Sequence, residues 1–349
     1  MLRIIHAADL HLDSPFASLP PEQAVQRRRH QRRILQEITA LCGTVDLVLL
    51  AGDVFDDRAV RPETVELMQS LFAQWEIPVL IAPGNHDPYT ENSVWAKINW
   101  PQNVHVFTGS MDVVELPQLR CRVWGAAFRE READNLLHSI PKAHDGFLEI
   151  GVFHGDPVYD SPYHPISAQT IRDCGLDYLA LGHIHKAQLP KQLGRTWYGW
   201  PGVSMGRGFD ETGEKGLFFV ALDRGICETK FVPLALPRYE ILTMDVGSLE
   251  IPPRYIQSIC RLVLTGESEP VDVQALHQQL ADQFLYLEIR DETVPPRDLW
   301  QDCDDSTLRG LTMSALKARL DEAETPEQRQ LAAMAARYAL AALEGREMP

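Results

Sequence analysis

No two of the six cysteines form a C-x-x-C pair; Cys42, Cys121, Cys174, Cys227, Cys260 and Cys303 lie far apart. That spacing indicates neither a structural zinc site nor a disulfide framework, and free thiols are expected. Long apolar runs are missing too: nothing approaches the ~20 residues of a membrane span, and the first run, in "MLRIIHAADL", is too short and too polar for a signal peptide. A cytoplasmic chain with no membrane role is expected. Internal repeats and low-complexity tracts are also absent. Basic residues are in deficit, 33 Lys and Arg against 49 Asp and Glu for a net charge of −16, which excludes a uniformly basic nucleic-acid binder. The deficit is uneven, because residues 241–349 hold only 10 of the basic residues and 19 of the acidic ones. One basic run, "QRRRHQRR" at Gln26–Arg33, lies on an expected helix ending near Gly43. It reads as a solvated helix face or as a phosphate contact.

What is present is enough apolar residue, 45% of 349, for a large core and a second small domain. Through the first two-thirds, the short runs "LRIIHA", "DLVLLA", "IPVLIA", "EIGVFH" and "DYLALG" read as strands buried on both faces. Segments such as "PETVELMQSLFAQWE" between them carry helical spacing. Later segments, "MDVVELP", "CRVWGAAF", "TWYGW", "GLFFVAL" and "ETKFVPL", alternate better and read as hairpin strands. The expected class is therefore α/β with a mixed sheet system of two packed sheets. From Arg238 the pattern changes to a strand "CRLVLTG", a helix "VDVQALHQQLADQF", a strand "LYLEIRDET" and two terminal helices. The expected domains are 1–237, an α+β appendix at 238–304 and a helical tail at 305–349. In the tail, Ser306 and Thr325 are the expected N-caps. Leu331, Met334, Ala335 and Tyr338 form the expected apolar stripe of the last helix, with Gln328, Arg337 and Glu344 on its wet side. That stripe suits packing on the appended domain and docking to a partner helix equally.

The chemistry sits where the strands stop. "LRIIHAADLH" ends in Asp9 and His11, "DLVLLAGDVFDD" in Asp53, Asp56 and Asp57, "VLIAPGNHD" in Asn85, His86 and Asp87, "GVFHGD" in His154, and "LALGHIHK" in His183 and His185. The carboxyl ends of strands in an α/β sheet line one crevice, so five strands deliver polar groups to a shared site. Carboxylates, an amide oxygen and several imidazoles without thiolate suit Mn²⁺, Fe²⁺ or Zn²⁺ better than Ca²⁺ or Mg²⁺. So many donors exceed the needs of one ion. Two ions roughly 3.5–4 Å apart, bridged by a carboxylate, would use them all and would clamp a phosphoester. Gly52, Gly84, Gly155 and Gly182 would let the backbone turn close to the ions. His6, His30, His105, His138, His144, His164 and His277 fall outside the pattern and are expected to be structural or surface residues.

The order "DLH", "GDVFD", "GNHD", "HG", "GHIH" resembles the five motifs of the calcineurin-like metallophosphoesterases. Within them, "HAADLHLDSPF", "LLAGDVFDD", "DYLALGHIHKAQ", "WYGWPGVSMGRGFDE" and "LEIRDET" are similar to SbcD-type DNA repair exonuclease subunits, and the shorter tail fits their YhaO-like branch. The resemblance implies an α/β/β/α sandwich of two mixed sheets flanked by helices, with a small C-terminal α+β capping domain and a helical tail. It implies two divalent ions, Mn²⁺ foremost, one held by Asp9, His11, Asp53 and His185 and the other by Asp53, Asn85, His154 and His183. His86, Asp87 and Asp56 are then the expected catalytic groups, His86 over the phosphate and Asp87 orienting it. Archaeal and eukaryotic relatives carry histidine where Asp56 stands, a departure that bears on the balance of exo- and endonuclease activity. The implied partners are DNA, an SMC-like coiled-coil ATPase that the tail would dock against, and a second copy of the chain. Two rivals remain: a small-molecule or protein phosphoesterase on the same scaffold, and a non-catalytic metal-bound scaffold subunit. The protein-phosphatase motifs GD-x-V-D-R-G and GNHE differ from "GDVFDDRAV" and GNHD here.

Overall fold

The computed structural model describes all residues except 18, 57–59, 142–145, 159, 269–270, 295–298, 301–302 and 344–349. Asp57, His144 and Glu344 therefore lie outside the described residues. The chain divides into two compact units, one of residues 1–242, 252–261 and 280–288, the other of 243–251, 262–279 and 289–349.

In the first unit, β1 (Leu2–Ala7), α1 (Pro21–Cys42), β2 (Leu47–Leu50), α2 (Pro62–Trp75), β3 (Val79–Ile81), the short α3 (Val94–Lys97) and β4 (Val104–Val106) follow in order. Next come β5 (Asp112–Leu116), β6 (Cys121–Gly125), β7 (Leu148–His154), α4 (Ala168–Asp173), β8 (Tyr178–Gly182), β9 (Gln188–Leu193), β10 (Thr196–Trp200), β11 (Gly216–Asp223) and β12 (Ile226–Pro233). They form two six-stranded mixed sheets, ordered β12-β11-β1-β2-β3-β4 and β5-β6-β7-β8-β10-β9. In the first, β1 to β4 run parallel, β11 pairs antiparallel with β1 and β12 antiparallel with β11; in the second, β6, β7, β8 and β10 run parallel between the antiparallel edges β5 and β9. Every residue of β2, β7 and β8 is buried, as their unbroken apolar runs require. The hairpin β11–β12 was expected; β10 is half hairpin, antiparallel to β9 and parallel to β8. No apolar run or alternation announces β4 or β9, whose three and six residues are only partly buried.

Three buried clusters define the layers. Ile4, Leu47, Leu49 and Leu80 meet Val123, Ile150, Val152 and Ala180 between the sheets. The outer face of the first sheet packs Val48, Leu50 and Ile81 on Ile34, Leu35 and Ile38 of α1 and on Met68 and Phe72 of α2. Phe153, Leu179 and Leu181 cover the outer face of the second sheet with Ile171 of α4. The architecture is thus two mixed sheets flanked by helices. The basic run on α1 serves neither expected purpose at three of its arginines. Arg27 is buried against Phe16 and Tyr239 and donates to Gly206 O, Arg28 donates to Pro15 O, and Arg32 contacts Asp13 and Thr64.

Further along, β13 (Tyr239–Asp245), β14 (Ile259–Thr265) and β15 (Tyr286–Asp291) form a three-stranded sheet, with α5 (Val273–Leu280) between the last two in sequence. In the second unit, α6 (Leu308–Asp321) and α7 (Pro326–Leu343) pack on one another. The N-cap of α6 is Thr307, not Ser306: its hydroxyl accepts from Gly310 N. Thr325 caps α7 by accepting from Gln328 N. The expected stripe of α7 is corrected as well. Ala332, Ala336 and Leu340 are its buried line, Ala336 and Leu340 clustering with Met313 of α6, while Leu331 is 65% and Met334 43% exposed. Small residues allow the close approach of the helix pair, and the longer apolar side chains are left outside.

Candidate metal centre

All the expected site residues lie in the first unit and at one end of its sheets. Asp9 follows β1, Asp53 follows β2 and Asn85 follows β3, while His154 ends β7 and His183 follows β8. Beyond the strands the backbone continues to pair: Asp9 N donates to Gly52 O, His11 N to Asp53 O and Leu12 N to Val54 O. Gln31 of α1, fully buried, donates to His11 O at 2.7 Å and pins that turn from outside. Asp9, His11, Asp53 and His183 all have positive φ, 50°, 46°, 49° and 97°. Non-glycine residues hold such conformations where surrounding structure over-determines them, and such strain collects at functional sites. At Gly84 a side chain has no room, since a Cβ would run into the Asp53 carboxylate.

The side chains converge. His11 Nε2 and His185 Nε2 are 3.2 Å apart, with Asp9 Oδ1 at 4.0 and 3.7 Å from them. Asp53 Oδ2 stands 3.9 Å from His11 Nε2 and 3.4 Å from His154 Nε2, so one carboxylate touches both groups. Asn85 Oδ1 lies 2.9 Å from His154 Nε2 and 3.2 Å from His183 Nδ1. Two trios, Asp9, His11, His185 and Asp9, Asp53, His154, offer donor atoms within 4.8 Å of one another; a third is His11, Asp56 and His86.

These residues fit metal ions. His154 Nδ1 faces Ala51 O at 2.9 Å and so carries its proton there, leaving the Nε2 lone pair for the centre. His185 Nδ1 faces Glu211 Oε1 at 2.7 Å, and His11 Nδ1 lies 2.8 Å from Asp56 Oδ1, in a geometry too bent for a straight hydrogen bond. Two lone-pair nitrogens 3.2 Å apart repel unless a cation lies between them or one is protonated. Although burial works against its charged form, the Asp53 and Asp9 carboxylates push the His154 imidazole up to about 9. The pocket has a surplus of negative charge that a cation would balance.

The remaining expected groups separate. The ring of His86 stands edge-on to His11 at 5.0 Å, its Nδ1 lies 3.0 Å from Asp56 O, and its backbone N donates to Asp53 Oδ1. Asp87 does not orient His86. Its carboxylate accepts from Val54 N, Phe55 N and Gly84 N, and is buried. Burial, and next the Asp53 charge, push it up to about 7. Asp87 thus joins the loops after β2 and β3, while Asp56, between His11 and His86, is the carboxylate beside the imidazoles. Residues not foreseen are Glu211, which holds His185; Arg207, which donates to Asp56 and Glu211; and Asp156, 3.4 Å from His183 Nε2. His6 and His164 are structural, His6 between Tyr178 and Leu181 O, His164 between His154 O and Leu137 N.

The fold and the centre define a class: the chain belongs to the calcineurin-like phosphoesterases, whose family pattern matches residues 2–187. Members use a dimetal centre. The chain is 31% identical over 305 residues, 81% of its own length and 73% of the other's, to an uncharacterized metallophosphoesterase, YhaO, of Bacillus subtilis (strain 168). Among solved structures it is similar to a conserved uncharacterized protein, a predicted phosphoesterase, of Streptococcus pneumoniae, at 16% identity over 66% of this chain and 98% of that one, TM-score 0.30. It is also similar to a purple acid phosphatase from yellow lupin (Lupinus luteus) seeds, at 12% identity over 66% of this chain and 51% of that one, TM-score 0.41. Among the described residues no helix is long and apolar enough to cross a membrane.

Proposed function

We propose that the chain is a two-metal phosphodiesterase that cuts DNA, as an exonuclease or endonuclease in repair, alongside an SMC-like ATPase. The observation that carries the reading is the convergence of Asp9, His11, Asp53, Asn85, His154, His183 and His185 from five strand ends, with Asp53 between the two groups. Two ions, Mn²⁺ foremost with Fe²⁺ or Zn²⁺ as alternatives, would be held by these residues and would supply Lewis-acid stabilisation of the phosphoryl charge and an activated water. Asp53 spans both groups and sets their separation. His86 Nδ1–H donates to Asp56 O, which turns Nε2 to the cleft, and its side chain is 33% exposed. From there it would stabilise the phosphate and deliver a proton to the leaving oxygen.

DNA as substrate rests on the resemblance of the chain, including "WYGWPGVSMGRGFDE" and "LEIRDET", to SbcD-type subunits. The ATPase rests on that resemblance and on α7, whose Leu331 and Met334 present apolar surface at helical spacing. The net charge of −16 favours a second reading, a small phosphodiester as substrate. End-labelled linear duplex with Mn²⁺, with and without the ATPase, beside a chromogenic phosphodiester, separates them. Degradation of the duplex is expected; hydrolysis of the small ester with the duplex left intact under both conditions would overturn the DNA reading.

A further inference from the structure

A charged ring closes behind one flank of the centre. Arg207 Nη1 donates to Asp56 Oδ1 at 2.8 Å, and Arg207 Nη2 to Glu211 Oε1 at 3.2 Å. Glu211 Oε2 accepts from the backbone N of Arg207 at 2.8 Å, fixing the turn from which the guanidinium reaches out. Asp56 then faces His11 Nδ1 at 2.8 Å and Glu211 faces His185 Nδ1 at 2.7 Å. One rigid fork thus sets the distance between two carboxylates; Glu211 fixes the His185 ring by a hydrogen bond and Asp56 flanks His11 Nδ1 as a close charged neighbour, with the two Nε2 atoms at 3.2 Å. Among the described residues the other flank has no such ring: His154 is backed by Ala51 O, and His183 by Asp156 at 3.4 Å.

We propose that Arg207, Glu211 and Asp56 are positioning residues for the Asp9–His11–His185 ion position, and that Asp56 acts through His11 rather than on the substrate. The inference rests on the dimetal reading above. It also gives the aspartate of "GDVFD" a task suited to a carboxylate, which accepts a charge-assisted bond from Arg207 Nη1 while facing His11 Nδ1. Arg207 is a poor phosphate clamp: both of its terminal nitrogens are taken by carboxylates, and its side chain is only 23% exposed.

The test is Mn²⁺ titration by calorimetry and electron paramagnetic resonance on the full chain. Wild type is expected to take up two ions and show a coupled pair; a wild type that takes up none would sink the dimetal reading itself. Glu211→Gln should keep one tight ion and weaken the other by about 10- to 100-fold, replacing the coupled signal with a single-ion one. Added to His185→Ala it should change nothing further, whereas added to His154→Ala it should leave both ions weakened. Arg207→Lys, which keeps the charge and loses the fork, should weaken the same ion. Saturating Mn²⁺ should restore turnover to Glu211→Gln with the KM for a chromogenic phosphodiester unchanged. Two tight ions in Glu211→Gln, a further loss on His185→Ala, or a raised KM at every Mn²⁺ concentration would overturn the proposal. Should Glu211→Gln not fold, Glu211→Asp, one methylene short of His185, carries the same expectations.

Discussion

On the flank of Asp9, His11 and His185, each imidazole is backed by a charged side chain, Asp56 at 2.8 Å from His11 and Glu211 at 2.7 Å from His185, with Arg207 joining the two. On the flank of Asn85, His154 and His183, His154 is backed by the backbone carbonyl of Ala51 and hemmed in by packing, its ring edge-on to Phe128. A Cβ at Gly52 would strike the His154 ring. The first flank is held by side chains that can be exchanged singly, the second by the strand ends and, at His183, by Asp156. The first is therefore where the chain can be tuned without being rebuilt.

The bridge breaks both flanks at once. Asp53→Asn should cost roughly 10³-fold or more in turnover, since the ions supply several kcal/mol of transition-state stabilisation, and metal uptake should fall with it. His86→Ala should touch neither flank: turnover is expected to fall by about 10²-fold or more, the range of general acid catalysis, with metal stoichiometry retained. A lost ion would make His86 a ligand of the His11–Asp56–His86 trio instead. Asp87→Ala loosens the loops common to both flanks, because Val54 N, Phe55 N and Gly84 N lose their acceptor. It should lower stability by about 1–3 kcal/mol, read by denaturant unfolding of the metal-free chain.

At neutral pH the smallest effect lies beneath the centre, where His6 of β1 ties to Tyr178 OH at 2.8 Å and Leu181 O at 3.1 Å of β8 and so joins the two sheets. Burial pushes its imidazole down to about 3, so the folded state holds it neutral. The unfolded chain takes up that proton below the ordinary value of about 6.5, so this contribution to stability is complete above that pH and is lost as pH falls towards 3. Replacing His6 by Gln should flatten the pH dependence of stability in that window by about one proton, roughly 1.4 kcal/mol per pH unit.

The difference between the flanks also explains what the sequence could disclose. Asp9, Asp53, Asn85, His154 and His183 were legible because each stands at or within four residues of the end of an apolar strand run. Glu211 stands 26 residues beyond His185, in a loop no strand announces, and only the acidic "FDE" after "GRG" could have signalled it. Asp87 was misread because its partners are backbone amides, two of them 32 and 33 residues away, which side-chain chemistry cannot reveal. The tail misled through its alanines: Ala332 and Ala336 are buried, and a small side chain carries no apolar signal to outweigh Leu331 and Met334.

The central claim is a pair of ions shared through Asp53, and counting ions per chain tests it most directly. Mn²⁺ titration of the purified protein should give two ions per wild-type chain with a coupled electron paramagnetic resonance signal, and Asp53→Asn should lose that coupling. A wild-type chain that saturates with a single ion, or an Asp53→Asn variant that keeps two coupled ions, would contradict it.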